Sequence, residues 1–371
     1  MKHKPLWLVL LLAAGAAFAS QNPGAVFLMI WPGARQTAMA GAFTAIADDP
    51  LCMYYNPGGL GFLQRTNVTL QHANWLPGLY EGMYFENLAL TYQIKQSGTI
   101  GVNATYLTTG ETDVVNERGE FLGRYTTFDL AMPAVYYGYP VLKNLSVGVG
   151  VKPIYSFLVP DWVWKVMPEL GIDQGGTGLT WGVDAGALYK PFDFLNVGLA
   201  LANFGPNISY TSSGESDPLP RMLRLGAAFY PVRSKIVTVC VAPEITKILV
   251  GMFYNPDGTK TFSRMMQEEL RGAWKHVGIE AGFANLLFAR VGYFEDLDGQ
   301  RGGIVLEKEG TSRHYGIGDL IARKNLGDFK SIGMTFGGGI EFARFKFDVS
   351  VDQLIYDFPT SNYKFSLSYQ F

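Results

Sequence analysis

The chain has 371 residues with 30 Lys and Arg against 32 Asp and Glu, a formal net charge of −2. That balance gives no electrostatic footprint for nucleic acid. Aromatic residues make 14% of the chain, mean hydropathy is +0.10 and there are 44 glycines, an apolar composition for an exported soluble protein.

The first residues read as a secretory signal. Lys2 and Lys4 supply a positive n-region, Leu6 to Ala14 an apolar h-region, and Ala17-Phe18-Ala19 a small-x-small cleavage pattern before Ser20. The apolar run is shorter than the roughly 18 residues a spanning helix needs. The expected organisation is a signal peptide over 1–19, an N-terminal hatch over 20–65 and a β-barrel over 66–371.

Residues 33–63, GARQTAMAGAFTAIADDPLCMYYNPGGLGFL, are rich in Gly and Ala and follow neither a helical nor a strand period. Small residues there let a backbone pass close to a wall. Asn56-Pro57-Gly58 reads as a tight turn, because Pro fixes φ and Gly tolerates positive φ. Asp48 and Asp49 are expected to pair with luminal basic residues or to cap a short helix. The stretch is either a structural filler or a gate.

After residue 65 the pattern becomes strict alternation. Leu145, Val147, Val149 and Val151 alternate with Ser146, Gly148, Gly150 and Lys152, and Phe345 to Asp352 repeats the pattern. Strands are expected near 66–75, 87–95, 98–107, 126–138, 144–155, 179–190, 194–204, 220–231, 235–247, 268–283, 286–295, 331–342, 344–352 and 362–371. Their number is even, as single-chain bacterial barrels require, and their connections alternate short and long. The expected fold is all-β, a transmembrane antiparallel barrel of fourteen strands with apolar side chains facing lipid. Trp75, Tyr136, Tyr137, Trp181, Tyr189 and Tyr230 are placed in interfacial girdles or in ordinary packing.

Two long connections stand out. Residues 156–178 carry Phe157, Trp162, Trp164 and Met167, are expected to be helical between Pro160 and Pro168, and read either as a hydrophobic ligand- or partner-binding loop or as a lid packed on the barrel mouth. Leu79 and Tyr84 of loop 76–86 are expected to add to that patch. Residues 296–330 mix charges and read as a solvated loop. The closing segment YKFSLSYQF puts Tyr363, Phe365, Leu367, Tyr369 and Phe371 on one face.

Enzymatic readings lack support. The imidazoles His72, His276 and His314 lie on different elements, with no nucleophile elbow, zinc-ligand spacing or phosphate-cradling loop. No cofactor or metal is expected. Cys52 and Cys240 lie far apart and read as two buried thiols or, alternatively, as one disulfide.

Residues 33–63 resemble the N-terminal motif of the PorV/PorQ and FadL-like outer-membrane proteins: Gly-Ala-Arg, Ala-Met-Gly-Gly-Ala-Phe, an acidic pair, then Tyr-Asn-Pro-Ala-Gly-Leu. The chain departs at Ala40, where glycine is usual, and at Gly58, where alanine is usual. Asp217 to Gly226, Leu188-Tyr189-Lys190 and Leu201 to Pro206 add to the resemblance, and the terminal Phe371 strand resembles the signal read by the barrel-assembly machinery. The resemblance implies a bacterial outer-membrane protein with a luminal hatch, in contact with outer-membrane lipid. It implies one of two functions. PorV-type barrels bind or shuttle cargo through its C-terminal signal domain within type IX secretion. FadL-like channels take up long-chain fatty acids or other hydrophobic compounds.

Overall fold

A computed structural model describes residues 22–79, 81–167, 174–211, 215–322, 326–353 and 360–371. The signal segment lies outside these residues. Alternating sequence becomes strand wherever one face can be buried against the lumen and the other left to an apolar surround.

The strands in chain order are β1 (Asn67–Asn74), β2 (Tyr84–Gln93), β3 (Thr99–Val115), β4 (Phe121–Leu142), β5 (Leu145–Phe157) and β6 (Thr177–Phe192). They continue with β7 (Leu195–Phe204), β8 (Met222–Arg233), β9 (Val237–Ile248), β10 (Trp274–Phe283) and β11 (Leu287–Asp296). A long excursion carries β12 (Arg301–Gly302), β13 (Ile304–Lys308), β14 (Thr311–Tyr315) and β15 (Asp328–Ile332). The wall then resumes with β16 (Met334–Phe342), β17 (Phe345–Gln353) and β18 (Ser361–Gln370).

β1 to β11 and β16 to β18 pair as antiparallel neighbours, β11 with β16 across the excursion. Pairing of β1 with β18, Asn67 against Gln370 through Asn74 against Tyr363, closes the ring at fourteen strands. Closure leaves no open edge along the wall, the condition for a sheet in lipid. Val147, Val149, Val151, Phe345 and Phe347 point outward and are exposed, while Ser146, Lys152, Asp348, Ser350 and Asp352 are buried inside. The apolar face is therefore the outer one, as expected.

Short turns gather at one end and long connections at the other. At the loop end the wall is taller than the sequence pattern indicates. The connection expected over 108–125 is instead a ribbon: β3 and β4 pair from Thr108–Phe128 to Val115–Phe121, beyond the point where β2 and β5 stop. The residues expected to start a strand at 268 belong to a helix. Of the helices α1 (Ala34–Ala38), α2 (Cys52–Tyr55), α3 (Asp161–Val166), α4 (Phe262–Gly272) and α5 (Ile317–Ala322), α4 is capped by the Thr261 side chain accepting from Arg264 N. It is pinned by Lys247–Glu269 at 2.5 Å. The 296–330 loop also differs from expectation. Ile304, Val305 and Leu306 are buried in a small sheet of β13, β14 and β15, which the surrounding charges mask in the sequence.

Residues 24–63 thread the lumen from end to end. Gly24 N donates to Pro218 O (2.9 Å) at the loop end, and Thr99 at the turn end donates through Oγ1 to Leu63 O (3.2 Å). Phe27 and Leu28 pack beside Trp75 and Phe85, and Ala47, Leu51 and Leu60 beside Ala89, Ala134 and Leu188. Trp75 and Tyr136 are therefore buried inward and Tyr230 packs on the luminal cluster, whereas Tyr137, Trp181 and Tyr189 face out. Only the second group can join a girdle. Cys52 and Cys240 are buried free thiols.

This path fixes a topology that labelling checks. With the loop end outside the cell, an epitope placed just before Gly24 should be reached by antibody on intact cells. One placed at Ala343-Arg344 should be reached only after permeabilisation. The reverse pattern would overturn the orientation.

Candidate functional site

The hatch is irregular backbone, so its polar groups need partners from the wall. Wall side chains supply them. Gly33 N donates to Gln71 Oε1 (3.0 Å), Ala34 N to Ser366 Oγ (2.9 Å) and Ala40 N to Thr335 Oγ1 (3.0 Å). Phe43 N and Thr44 N both donate to Glu244 Oε2, at 3.0 and 2.9 Å. In the other direction Lys364 Nζ donates to Trp31 O (2.6 Å), Asn196 Nδ2 to Ala45 O (3.2 Å) and Arg224 Nη1 to Tyr54 O (2.9 Å).

Asn56 is a junction. Its Nδ2 donates to Thr44 O (2.8 Å) and to the wall's Ala187 O (2.9 Å), while its Oδ1 accepts from Gly58 N (3.0 Å). Pro57 opens the following 3₁₀ turn, Pro57–Phe62. Both departures from the family motif have a local meaning. Gly58 lies so close to the wall that an added Cβ would sit 2.8 Å from Ala187 Cα and Leu188 N. Ala40 holds φ +54, the left-handed region glycine enters more easily; the strain is on the order of 1 kcal/mol.

Wall glycines make room for the hatch. A Cβ on Gly148 would stand 2.1 Å from Pro57 O, and one on Gly186 2.1 Å from Asn56 Oδ1. One on Gly198 would meet Thr44 O at 2.1 Å, and one on Gly292 would meet Ala40 N at 2.4 Å. The hatch was legible in the sequence; these partner glycines were not singled out, although inward glycines within alternating strands are the signal that marks them.

Charge organises the turn end. Arg35 Nε and Nη2 donate to Glu280, both at 2.8 Å, and Nη1 donates to Asp48 at 2.6 Å, with Asp49 at 3.5 Å. Glu280 also accepts from Arg290 Nε (2.5 Å), and Arg290 Nη1 donates to Asp348 (2.8 Å). Bidentate Arg–carboxylate pairing is directional, so this chain fixes α1 against β10, β11 and β17. The basic partner of Asp48 and Asp49 is thus a hatch arginine. Asp49 also accepts from Leu51 N (2.9 Å) and Gln36 Nε2 (2.7 Å), tying the turn before α2 to α1; α2 itself has no side-chain cap, so the expected capping role is not seen.

The loop-end residues divide. Phe157 faces outward in a row with Phe128 (ring centroids 5.2 Å apart), Tyr155 and Tyr106. Trp162 and Trp164 lie on α3, the helix expected between the prolines. Trp162 packs edge-on to Tyr125 and over Gly123 of the β3–β4 ribbon, and Trp164 Nε1 donates to Gly175 O (3.0 Å). Met167 is half-buried at the end of α3, and Leu170 lies outside the described residues. Leu79 and Tyr84 border a different space, an open cavity of about 1180 Å³ against Tyr106, Glu111 and Arg124 on the ribbon's outer face. At mid-height, beneath Leu28, Ile30 and Tyr54, the hatch leaves a void of about 20 Å³.

A family model described as type IX secretion system protein PorV matches residues 19–254. No curated protein matches the chain. Among solved structures, the toluene transporter TbuX of Ralstonia pickettii is similar with a TM-score of 0.50 and 12% identity, covering 92% of this chain and 98% of its own. The deltaS2 mutant of the TodX monoaromatic hydrocarbon channel is similar with a TM-score of 0.53 and 14% identity, covering 91% and 98%. At such identity the likeness concerns the fold alone.

One comparison tests the hatch geometry. Gly148→Ala and Gly186→Ala should each overpack the interface by roughly 1–3 kcal/mol, lowering the thermal midpoint of the detergent-solubilised barrel. Gly338→Ala, whose Cβ would meet only Phe288 O at 3.4 Å, should not. Equal effects at the three positions would contradict the packing.

With the closed fourteen-stranded wall, the luminal hatch and a family match over most of its length, the chain belongs to the PorV family of type IX secretion system proteins, bacterial outer-membrane β-barrels.

Proposed function

We propose that this barrel acts as a cargo receptor of the type IX apparatus, holding the C-terminal signal domain of a secreted protein at its loop end while the hatch stays shut. The observation that carries this reading is the distribution of space. The mid-lumen void of about 20 Å³ has room for about one water, whereas the loop end offers an open cavity of about 1180 Å³. Binding fits outside the lumen, and passage through it would require the hatch to move.

In this reading Trp162, Trp164 and Met167 brace the ribbon, and Leu79, Tyr84 and Tyr106 meet the partner. Apolar side chains flanked by polar ones form such contact surfaces. Asp48, Asp49, Asn56, Pro57 and Gly58 hold the hatch. The outward apolar belt contacts outer-membrane lipid, and β18, ending at Phe371, presents the strand that the barrel-assembly machinery reads. Uptake of a hydrophobic compound is the competing reading.

Deleting the gene should leave cargo bearing the type IX signal in the periplasm. Leu79→Glu with Tyr106→Glu should reduce cargo display several-fold while heat-modifiability on gels stays normal. Normal display in the deletion strain would sink the receptor reading. A lipid or detergent retained inside the purified barrel would favour uptake instead.

A further inference from the structure

The turn end of the barrel is basic. Arg65, Lys95, Lys143, Lys190, Arg233, Lys235 and Arg344 stand at or beside its turns, against Asp193 and Glu341. Four cations, Arg65, Arg233, Arg344 and Lys346, line the mouth of a cavity of about 650 Å³ whose floor is the Arg35–Asp48–Glu280 network. Arg233 lies over the Tyr230 ring (4.6 Å) and Lys346 over the Phe288 ring (5.1 Å). Aromatic faces hold such cations in place while leaving N–H groups open to an acceptor.

The carboxylates of the floor are already engaged. Asp48 and Glu280 hold Arg35, and Asp348 holds Arg290. Rim charges lack that compensation. Arg65 donates to the Gln370 amide oxygen (2.9 Å) and Arg233 to Asp193 O (2.8 Å), and among the described residues neither they nor Arg344 has a carboxylate at ion-pair distance. Four rim cations against Glu341, which lies across from Lys346, leave an excess of positive charge at the mouth, and a cavity walled by low-dielectric protein focuses such a field on the opposite sign.

We propose that this vestibule is a docking site for an acidic segment of a periplasmic protein, seated against Arg65, Arg233, Arg344 and Lys346. Lipid headgroups carry suitable charge but lie outside the ring, whereas these four side chains line a space that opens along the barrel axis. The cavity has room for several side chains, and Tyr230 and Phe288 add apolar contact. An occupant there touches the floor that fixes α1, so it would sense or brace the hatch from below. The site is at the opposite end from the cargo surface proposed above and stands or falls separately.

The probe is a fluorescent oligoglutamate peptide titrated against the full-length mature chain in phosphatidylcholine nanodiscs. Binding should weaken steeply between low salt and about 0.15 M. The triple variant Arg65→Gln, Arg233→Gln, Arg344→Gln should lose roughly tenfold or more in affinity. Lys95→Gln with Lys143→Gln and Lys235→Gln, on turns that do not line the cavity, should change it by less than about twofold. Heat-modifiability on gels confirms that each variant is folded. Absence of binding by the unmodified chain, or equal losses in the two triple variants, would overturn the site. So would loss of co-purified phosphatidylglycerol from the first variant with peptide binding intact, which would make the occupant a headgroup.

Discussion

Irregular backbone can lie at membrane depth only if every buried N–H and C=O finds a partner within the protein. Much of this barrel's interior follows from that constraint. Residues 33–63 make few hydrogen bonds of their own beyond single turns, so the wall carries side chains that act as their ladder. Glu244 takes two successive hatch amides, Thr335 both accepts from Ala40 N and donates to Ala38 O, and Lys364 reaches Trp31 O. In a soluble sandwich these inward positions would be apolar. Here polar residues alternate with outward Val, Leu and Phe because the polar chain they serve is on the inside.

The same constraint explains the unusual burial of charge. Lys152 and Asp184 are both buried and pair at 2.7 Å, and Asp184 also accepts from Tyr136 Oη and Asn203 N, each at 2.7 Å. Buried ion pairs are tolerated when their remaining hydrogen-bonding capacity is met. The Asp48–Arg35–Glu280–Arg290–Asp348 chain alternates in sign, although Arg290 Nη2 is buried with no hydrogen-bond partner among the described residues. Such networks contribute little net stability compared with apolar packing, but they allow few alternative registers. A hatch with short helices and many small side chains would otherwise slide, since apolar contact alone does not fix position along a barrel axis.

How much of this was legible before the structure differs by element. The wall was, because period-2 alternation survives over most of its length and the Asn67–Gln370 pairing that closes it joins segments with clear apolar faces. The ribbon above it was not. β3 carries register shifts at Asn103/Thr105 and Thr108/Gly110, and each one breaks the alternation that would have extended the strand past 107. The α4 helix was not legible: 248–267 reads as a connection and Leu270, Gly272 and Trp274 sit at strand spacing, while its cap at Thr261 lies outside that window. In the site, Asp48, Asn56 and Pro57 were visible as a motif. The wall partners of Asn56 and Pro57, Ala187 and Gly148, were not, because no local pattern links residues more than ninety positions apart. Phe157 and Trp162 looked like one patch by proximity in sequence, yet the strand end between them sends one to the outer wall and the other onto the ribbon.

These features together determine where the protein can meet other molecules. A mid-height void with room for about one water leaves the two ends as the larger accessible surfaces, and the ends differ in kind. The loop end carries long connections, aromatic side chains and mixed charge; the turn end has short turns and is basic. A protein that served only as a pore would need the ends to communicate through an open path. One that engages a partner at each end needs instead a rigid body between them, and the hydrogen-bonded hatch supplies that rigidity. The Arg35 network sits at the floor of the turn-end cavity and grips α1, whose far side leads by way of Ala40 and His276 to the Trp31–Trp274–Phe294 cluster beneath the loop end. A displacement of α1 would therefore be felt at the aromatic cluster through direct contacts, a coupling that requires no open channel.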